Sequence, residues 1–142
     1  MPSYQWIAET PAKWDADKVR FIAEAPSGTF DSRYRQLKPG AIVPGEWWRA
    51  SEGGKTVGYG WLDVSFGDAE ILLVTDPAAR KKGVGEYILG KLEGEARVRG
   101  LNYLTNIVRP THPQAKQIAA WLGKHGFAGS DDGRLMRPVR RS

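Results

Sequence analysis

A run of basic residues followed by two closely spaced glycines is the segment of this sequence best suited to bind a ligand. Arg80, Lys81 and Lys82 stand directly before Gly83-Val84-Gly85, where the longest helical pattern of the chain begins. The first turn of a helix leaves backbone N–H groups without partners, and the helix dipole is positive there. Glycine lets an anion approach these N–H groups and permits a positive φ angle. The segment therefore predicts a phosphate-binding turn.

Two other glycine-containing phosphate motifs do not fit the sequence. A Rossmann fingerprint would need a third glycine where Ile88 stands. A Walker A loop around Gly54-Lys55-Thr56 would need a glycine where Arg49 stands. The alternative that stays open is an ordinary strand-to-helix turn with solvated lysines.

The strands that must position this turn are marked by apolar runs with turn residues between them. The segment Glu52-Gly53-Gly54-Lys55 indicates a hairpin, and Gly67-Asp68 a second turn. Ala69 to Thr75 is almost continuously apolar, which predicts a central strand buried on both faces. The full set of predicted strands is Tyr4 to Ala8, Trp47 to Ser51, Thr56 to Phe66, Ala69 to Thr75, Tyr103 to Val108, and a last one from Phe127.

Helices are predicted between these strands. The first begins near Asp15 or Asp17 and ends at Pro26-Ser27-Gly28, and a second, short one covers Asp31 to Leu37. The longest runs from Gly83 to Arg99. A last helix follows Thr111-His112-Pro113-Gln114, which matches a capping box, and its core face is Ala115, Ile118, Ala119 and Leu122.

The order of these elements is β-α-α-β-β-β-α-β-α-β, which predicts an α/β fold with a mixed sheet and helices on its faces. A chain of 142 residues can bury a core as one domain, so we expect one domain over residues 1–142. No apolar run approaches the ~20 residues that a membrane helix needs, and we expect a cytoplasmic protein.

Composition excludes several kinds of chemistry. The chain contains no cysteine, which rules out disulfides, thiolate metal sites and an acyl group carried on sulfur. His112 and His125 are the two histidines, too few to favour a metal cluster, and we expect no metal. The net charge of +5 favours anionic partners without identifying one.

The segment Arg80-Lys81-Lys82-Gly83-Val84-Gly85 resembles the Gln/Arg-x-x-Gly-x-Gly/Ala signature of the GNAT acetyltransferase superfamily. The preceding strand, the Pro-x-x-Arg at Pro77 to Arg80 and the element order resemble the family as well. The resemblance implies the GNAT fold, with a mostly antiparallel sheet, and an N-acetyltransferase that uses acetyl-CoA and a primary amine. Direct transfer in a ternary complex is implied too.

The resemblance also implies which residues bind the cosubstrate. The Arg80 side chain and the backbone of the glycine turn would hold the diphosphate, and the splayed central strand would contact pantetheine and the thioester. The cofactor-binding residues so implied are Leu73, Val74, Thr75, Arg80, Lys81, Lys82, Gly83, Val84, Gly85 and Glu86.

The resemblance implies a candidate for the general base but leaves the general acid unassigned. Glu70 lies where related enzymes often have a glutamate, which makes it the candidate general base; the alternative is a strand carboxylate paired with a neighbouring Lys or Arg. The family often has a tyrosine acid about five residues before Gly126-Phe127, but Trp121-Leu122 stands there. His125 is expected to meet helix carbonyls instead of acting as that acid, and His112 to be a solvated residue at a helix start.

Aromatic residues on the hairpin strands are candidates for the acceptor site. The resemblance implies that the far ends of these strands frame it, which suggests Trp47, Tyr59 and Trp61 as substrate residues, with core packing as the alternative. Trp47 and Trp48 must lie on opposite faces because strand side chains alternate.

Other functions stay open at this level. The basic tail, with Arg134, Arg137, Arg140 and Arg141, is either solvated or contacts nucleic acid or an acidic protein. A CoA-binding module without activity, a transferase for another acyl group or for a nucleic-acid base, and a homodimer are the remaining alternatives.

Overall fold

The computed structural model describes residues 3–23, 36–43, 45–79, 83–108, 112–129 and 134–140. The strands are β1 Tyr4–Glu9, β2 Glu46–Glu52, β3 Lys55–Ser65, β4 Asp68–Thr75, β5 Tyr103–Ile107, β6 Ala128–Gly129 and β7 Arg134–Pro138. The helices are α1 Ala16–Lys18, which continues as a π-helical segment Val19–Ala23, then α2 Val84–Val98 and α3 Ala115–Lys124, with a 3₁₀ turn at Pro77–Ala79.

The strands form one seven-stranded sheet in the order β1-β2-β3-β4-β5-β7-β6. Every pairing is antiparallel except that of β4 with β5. The mixed, mostly antiparallel α/β sheet predicted from the sequence is thus confirmed. The predicted last strand is divided into β6 and β7. The predicted short helix over 31–37 falls mostly outside the described residues.

Apolar side chains on the two faces of the sheet form separate clusters. The α2 cluster lies between the sheet and helices α2 and α3. It comprises Trp48, Ala50, Val57, Leu62, Ala69, Ile71, Val84, Ile88, Leu89, Leu92, Ala96, Leu101, Leu104, Leu122, Phe127, Leu135 and Val139. The aromatic cluster lies on the opposite face and comprises Ala12, Trp14, Phe21, Ile22, Val43, Trp47 and Tyr59. Trp47 and Trp48 therefore lie on opposite faces, as their alternation predicts.

Two glycines of β3 allow α2 to approach the sheet closely. A Cβ atom at Gly58 would lie 2.7 Å from Ile88 Cδ1, and one at Gly60 would lie 3.0 Å from Ile88 Cγ2. Any side chain at these positions would push α2 away. The glycines therefore set the distance between α2 and the centre of the sheet.

One prediction about local structure is wrong. Leu72 to Thr75 are only half-buried, so β4 is not buried on both faces along its whole length. Helix α3 begins directly after Gln114, where it was predicted. The His112 Nδ1 atom accepts the Gln114 N–H at 2.9 Å, and Thr111, the first residue of the predicted capping box, lies outside the described residues.

Two arginines of the basic tail form ion pairs with a buried glutamate of α2. The Arg137 side chain is buried, with Nη2 2.8 Å from Glu93 Oε2, and Nη1 donates to the His125 carbonyl oxygen at 2.6 Å. Arg140 Nη2 also donates to Glu93 Oε1 at 2.8 Å. Arg137 and Arg140 thus join β7 and the segment after it to α2, and Arg141 lies outside the described residues. None of the described helices is long and apolar enough to cross a membrane.

Candidate functional site

Strands β4 and β5 pair over two residue pairs only and then separate. The pairs are Ala69 with Leu104 and Glu70 with Thr105. Beyond them, the Asn106 Nδ2 group donates to the Ile71 carbonyl oxygen at 2.8 Å, and no further ladder forms. The second half of β4, Leu72 to Thr75, therefore borders an opening in the sheet.

Alternate peptide groups of β4 face this opening. The Ile71 carbonyl oxygen points toward β5, whereas the Asp76 N–H donates to Val57 and so points toward β3. Successive peptide groups of a strand point to opposite edges. The N–H and C=O groups of Leu73 and Thr75 therefore face the opening, while those of Val74 face β3.

Helix α2 begins beside the same opening. Gly83 precedes it with φ 78° and ψ 10°, a left-handed conformation that favours glycine, and no side chain of the described residues forms a capping hydrogen bond there. The first helical hydrogen bond runs from the Tyr87 N–H to the Gly83 carbonyl oxygen at 3.0 Å. The N–H groups of Val84, Gly85 and Glu86 thus precede the helical ladder and point out of the helix start.

Gly85 connects the helix start to the open strand. A Cβ atom at Gly85 would lie 3.4 Å from Trp121 Cζ2 and 4.0 Å from Leu73 Cδ1. These are ordinary contact distances, so the protein itself would tolerate a small side chain there. The sequence-predicted residues Leu73, Thr75, Gly83, Val84, Gly85 and Glu86 are thereby brought to one place. Arg80, Lys81 and Lys82 lie outside the described residues.

The three aromatic residues predicted to line the acceptor site differ in how far they are buried. Trp47 and Tyr59 are buried in the aromatic cluster, and Trp61 is half-buried opposite Leu72 of β4. Burial, with the Asp15 carboxylate as the second cause, raises the pKa of Tyr59 far above its ordinary range, so this phenol stays protonated. Tyr59 and Trp61 both lie opposite the open half of β4, at Val74 and Leu72, and Trp61 is the less buried of the two.

Comparison with known proteins identifies the family. The family model described as an acetyltransferase (GNAT) domain matches residues 44–128, which is more than half of the chain. The chain belongs to the GNAT acetyltransferase family. It is accordingly an acyltransferase. No curated protein sequence matches the chain.

Solved GNAT structures share the fold across nearly the whole chain. A Klebsiella pneumoniae protein superposes with a TM-score of 0.69 at 24% identity, covering 96% of this chain and 98% of that one. The ribosomal-protein-S18-alanine N-acetyltransferase of Escherichia coli gives a TM-score of 0.65 at 16% identity, covering 99% and 96%. A phosphinothricin acetyltransferase of Sinorhizobium meliloti, solved in complex with AcCoA, gives a TM-score of 0.54 at 22% identity, covering 67% and 61%.

Glu70, the candidate general base of this GNAT chain, is half-buried where β4 and β5 part. It lies opposite Asp63 of β3 and beside Thr105 of β5. Among the residues that the structure describes, no Lys or Arg forms an ion pair with Glu70. The alternative of a structurally paired carboxylate thus finds no support in the described part of the chain.

The region where the GNAT family often has its tyrosine acid is occupied by a buried leucine and a tryptophan. Leu122 belongs to the α2 cluster, and the adjacent Trp121 packs beside the start of α2. The His125 ring lies 4.4 Å from the Trp121 ring, and its Nε2 atom is 3.9 Å from Glu86 Oε1. The His125 carbonyl, not its imidazole, completes the end of α3 by accepting from Arg137.

Sequence reasoning missed three residues near the site. In the sequence, Trp121 is visible only as a departure from the family pattern, and Asp76 follows the predicted strand Ala69 to Thr75 without indicating a role. Lys18 is fully buried, with Nζ donating to Glu9 Oε1 at 2.7 Å and to the Lys13 carbonyl oxygen at 2.8 Å. A lysine four residues before the apolar Ile22 carries no sequence signal of burial, so only the packing reveals it.

Proposed function

We propose that this protein is an N-acetyltransferase that transfers an acetyl group from acetyl-CoA directly to a primary amine, with residues 1–142 acting as one domain. The observation that carries the proposal is the juxtaposition of the uncapped start of α2 with the unpaired half of β4. Each feature provides backbone hydrogen-bonding groups that the fold itself leaves open. Together they suit a ligand with an anionic end and an extended amide-containing arm.

The residues present fit acetyl-CoA. The N–H groups of Val84, Gly85 and Glu86 would donate to the diphosphate, and the cations at Arg80, Lys81 and Lys82 would add favourable charge. The peptide groups of Leu73 and Thr75 would pair with the amides of the pantetheine arm, as an added strand does at a sheet edge. Bound there, acetyl-CoA would supply the thioester whose carbonyl carbon accepts the amine.

Glu70 is the proposed general base. The amine must lose a proton before it can attack, and Glu70 lies on β4 two residues before the open half begins. It could accept the proton directly or through one water. The absence of cysteine agrees with direct transfer, since no thiol is present to carry the acetyl group. Trp61 and Leu72, opposite each other on β3 and β4, would contact the apolar part of the acceptor.

The first test is cosubstrate binding. Acetyl-CoA at about 100 times its Kd should stabilise the folded protein by about 2.7 kcal/mol, and thermal shift with acetyl-CoA, CoA and longer acyl-CoA derivatives measures this. Gly83→Ala forces an alanine into a left-handed conformation, φ 78°, at the turn that would hold the diphosphate, and should weaken binding by about tenfold or more. Gly90→Ala on α2 meets nothing within 4 Å and is the matched control.

The second test is turnover. An amine screen with thiol detection should reveal release of CoA that depends on the acceptor, and Glu70→Gln should reduce kcat by about 10²–10⁴-fold without changing the Kd for acetyl-CoA. Binding without turnover for any amine would favour the alternative of a CoA-binding module, for which the buried Leu122 in place of an acid is an argument. Failure of the wild type to bind CoA or acetyl-CoA would overturn the proposal.

A further inference from the structure

A buried aspartate stands at the point where the chain leaves the open half of β4. Asp76 is 1% exposed and follows Thr75 directly. Its N–H donates to the Val57 carbonyl oxygen at 2.8 Å, which ties the end of β4 to β3. Its Oδ1 atom accepts the Ala78 N–H at 2.9 Å, which shapes the 3₁₀ turn Pro77–Ala79. Asp76 therefore holds the end of β4 against β3 and shapes the 3₁₀ turn that follows it.

The charge partner of Asp76 comes from a distant part of the chain. The Arg20 Nη1 group donates to Asp76 Oδ1 at 3.0 Å, across 56 residues of sequence. Arg20 belongs to the π-helical segment Val19–Ala23, which packs on the aromatic face of the sheet. Local π-helices occur frequently at functional sites. The contact thus links the helical segment on the proposed acceptor face to the turn before the proposed cosubstrate site.

Both members of this pair are held in place by other contacts. The Arg20 guanidinium lies 4.4 Å from the Phe21 ring centroid and 3.4 Å from Asp17 Oδ1, and the Phe21 ring meets Tyr59 edge-on at 5.7 Å. The Asp76 Oδ2 atom is buried and has no hydrogen-bond partner. Burial raises the pKa of Asp76, but the Ala78 N–H and the Arg20 guanidinium outweigh it and hold that pKa below its ordinary range. Without Arg20 this carboxylate would lose its hydrogen-bonded cation, and Lys55 would remain as a cation whose charge lowers its pKa.

We propose that Arg20 and Asp76 are positioning residues that hold the end of the open half of β4, and the 3₁₀ turn after it, in the shape that binds CoA. The inference rests on the proposed function. The pair acts on CoA through the turn, and neither side chain needs to touch the ligand. The Arg20 side chain is 43% exposed but that of Asp76 is 2% exposed, so loss of Arg20 should also lower stability. Only the positioning role predicts that the Kd of CoA rises in a variant that still folds.

A more exposed ion pair elsewhere on the sheet provides a control for net charge, since its Glu46 side chain is 50% exposed whereas that of Asp76 is 2% exposed. Arg99 at the end of α2 pairs with Glu46 through both terminal nitrogens, with Nη2 at 2.7 Å from Oε1, and it is 29% exposed. Removing Arg99 lowers the net charge by the same amount as removing Arg20. Arg99→Met therefore controls for the general attraction of an anionic ligand by a basic protein.

The test measures the Kd of CoA and of acetyl-CoA by titration calorimetry for the wild type, Arg20→Met, Arg20→Lys, Asp76→Asn and Arg99→Met. Asp76→Asn keeps an oxygen for the Ala78 N–H and removes the charge. We expect Arg20→Met and Asp76→Asn to raise the Kd of CoA about tenfold or more, Arg20→Lys to restore most of the affinity, and Arg99→Met to stay within twofold of the wild type.

The outcomes separate this inference from the proposed function. If the wild type binds CoA and Arg20→Met binds it within twofold, or if Arg99→Met weakens binding as much as Arg20→Met, the positioning role is overturned. If the wild type does not bind CoA, the proposed function itself fails. Should Arg20→Met not fold, Arg20→Lys and Asp76→Asn decide the question by the same comparison with Arg99→Met.

Discussion

The two apolar clusters of this protein lie on opposite sides of one sheet and enclose different chemical groups. The interior of the α2 cluster is hydrocarbon, with Ile88, Leu92 and Leu104 fully buried and charged groups only at its edge. The aromatic cluster encloses an ammonium group, since Lys18 Nζ lies 4.6 Å from the Tyr59 ring centroid and 5.5 Å from that of Trp47. The stability of the α2 cluster should therefore depend on the volume of its side chains. The stability of the aromatic cluster should depend on whether its buried charge is paired.

The two clusters also border different halves of the proposed site. The α2 cluster ends at Leu73 and Val84, beside the opening where CoA is proposed to bind, and the aromatic cluster extends to Val74 and Trp61 on the proposed acceptor side. Substitutions in the two clusters should therefore affect stability by different mechanisms and by different amounts.

The largest effect is expected from emptying the α2 cluster. Leu92→Ala removes a side chain that is 0% exposed and should lower the free energy of unfolding by about 4 kcal/mol, in the upper half of the range for such cavities. Urea denaturation at 25 °C measures this. Leu92→Met conserves volume and should cost less than about 1.5 kcal/mol. A loss below about 2 kcal/mol for Leu92→Ala would show that the cluster collapses around the cavity.

Lys18→Met should cost about 2–3 kcal/mol although it keeps the apolar length of the side chain. The Glu9 carboxylate, 10% exposed, would lose its principal cation, and an unpaired buried charge is destabilising. Adding Glu9→Gln should recover part of the loss, and the double-mutant cycle gives the coupling energy. A neutral or stabilising Lys18→Met would mean that the aromatic cluster depends on volume, as the α2 cluster does.

A smaller effect is expected from titrating Glu93 at the edge of the α2 cluster. Burial raises its pKa, but the Arg140 hydrogen bonds and the Arg137 charge outweigh burial and hold the pKa below its ordinary range. The stabilisation is then fully present above the ordinary value of about 4.3 and is lost as the pH falls through the folded-state pKa. Denaturation between pH 3 and pH 7 should show this loss, and Glu93→Gln should reduce the slope. Equal slopes for both proteins would contradict the assignment.

The smallest expected change is an increase in stability, whereas the preceding ones are losses. Gly90→Ala on α2 meets no atom within 4 Å, so it should stabilise the protein by about 0.5–1 kcal/mol through helix propensity. Thermal denaturation measures the increase. Gly58→Ala under the same helix should destabilise, because its Cβ would lie 2.7 Å from the Val74 carbonyl oxygen. If both substitutions stabilise, α2 is not packed against β3 as described.

Local signals in the sequence were sufficient for most of the elements. The hairpin at Gly53-Gly54, the helix after Gly83 and the strand beginning at Tyr103 were all predicted to within about one residue, because turn residues and side-chain periodicity act between near neighbours. The same holds for the glycine at position 83, whose positive φ angle follows from the turn it occupies. The start of α3 directly after Gln114 was predicted as well, whereas the acceptor that His112 provides for the Gln114 N–H was not.

The class of fold, the glycine turn and the alternation that separates Trp47 from Trp48 follow from the order of the residues alone. Three features depend on the folded arrangement: β4 leaves β5 after Glu70, Tyr59 and Trp47 surround Lys18, and Arg20 meets Asp76 across 56 residues. The two sets differ in the range of the interactions that produce them. Periodicity and turn chemistry depend on adjacent residues, whereas the opening in the sheet and the buried charges depend on which distant segments pack against each other.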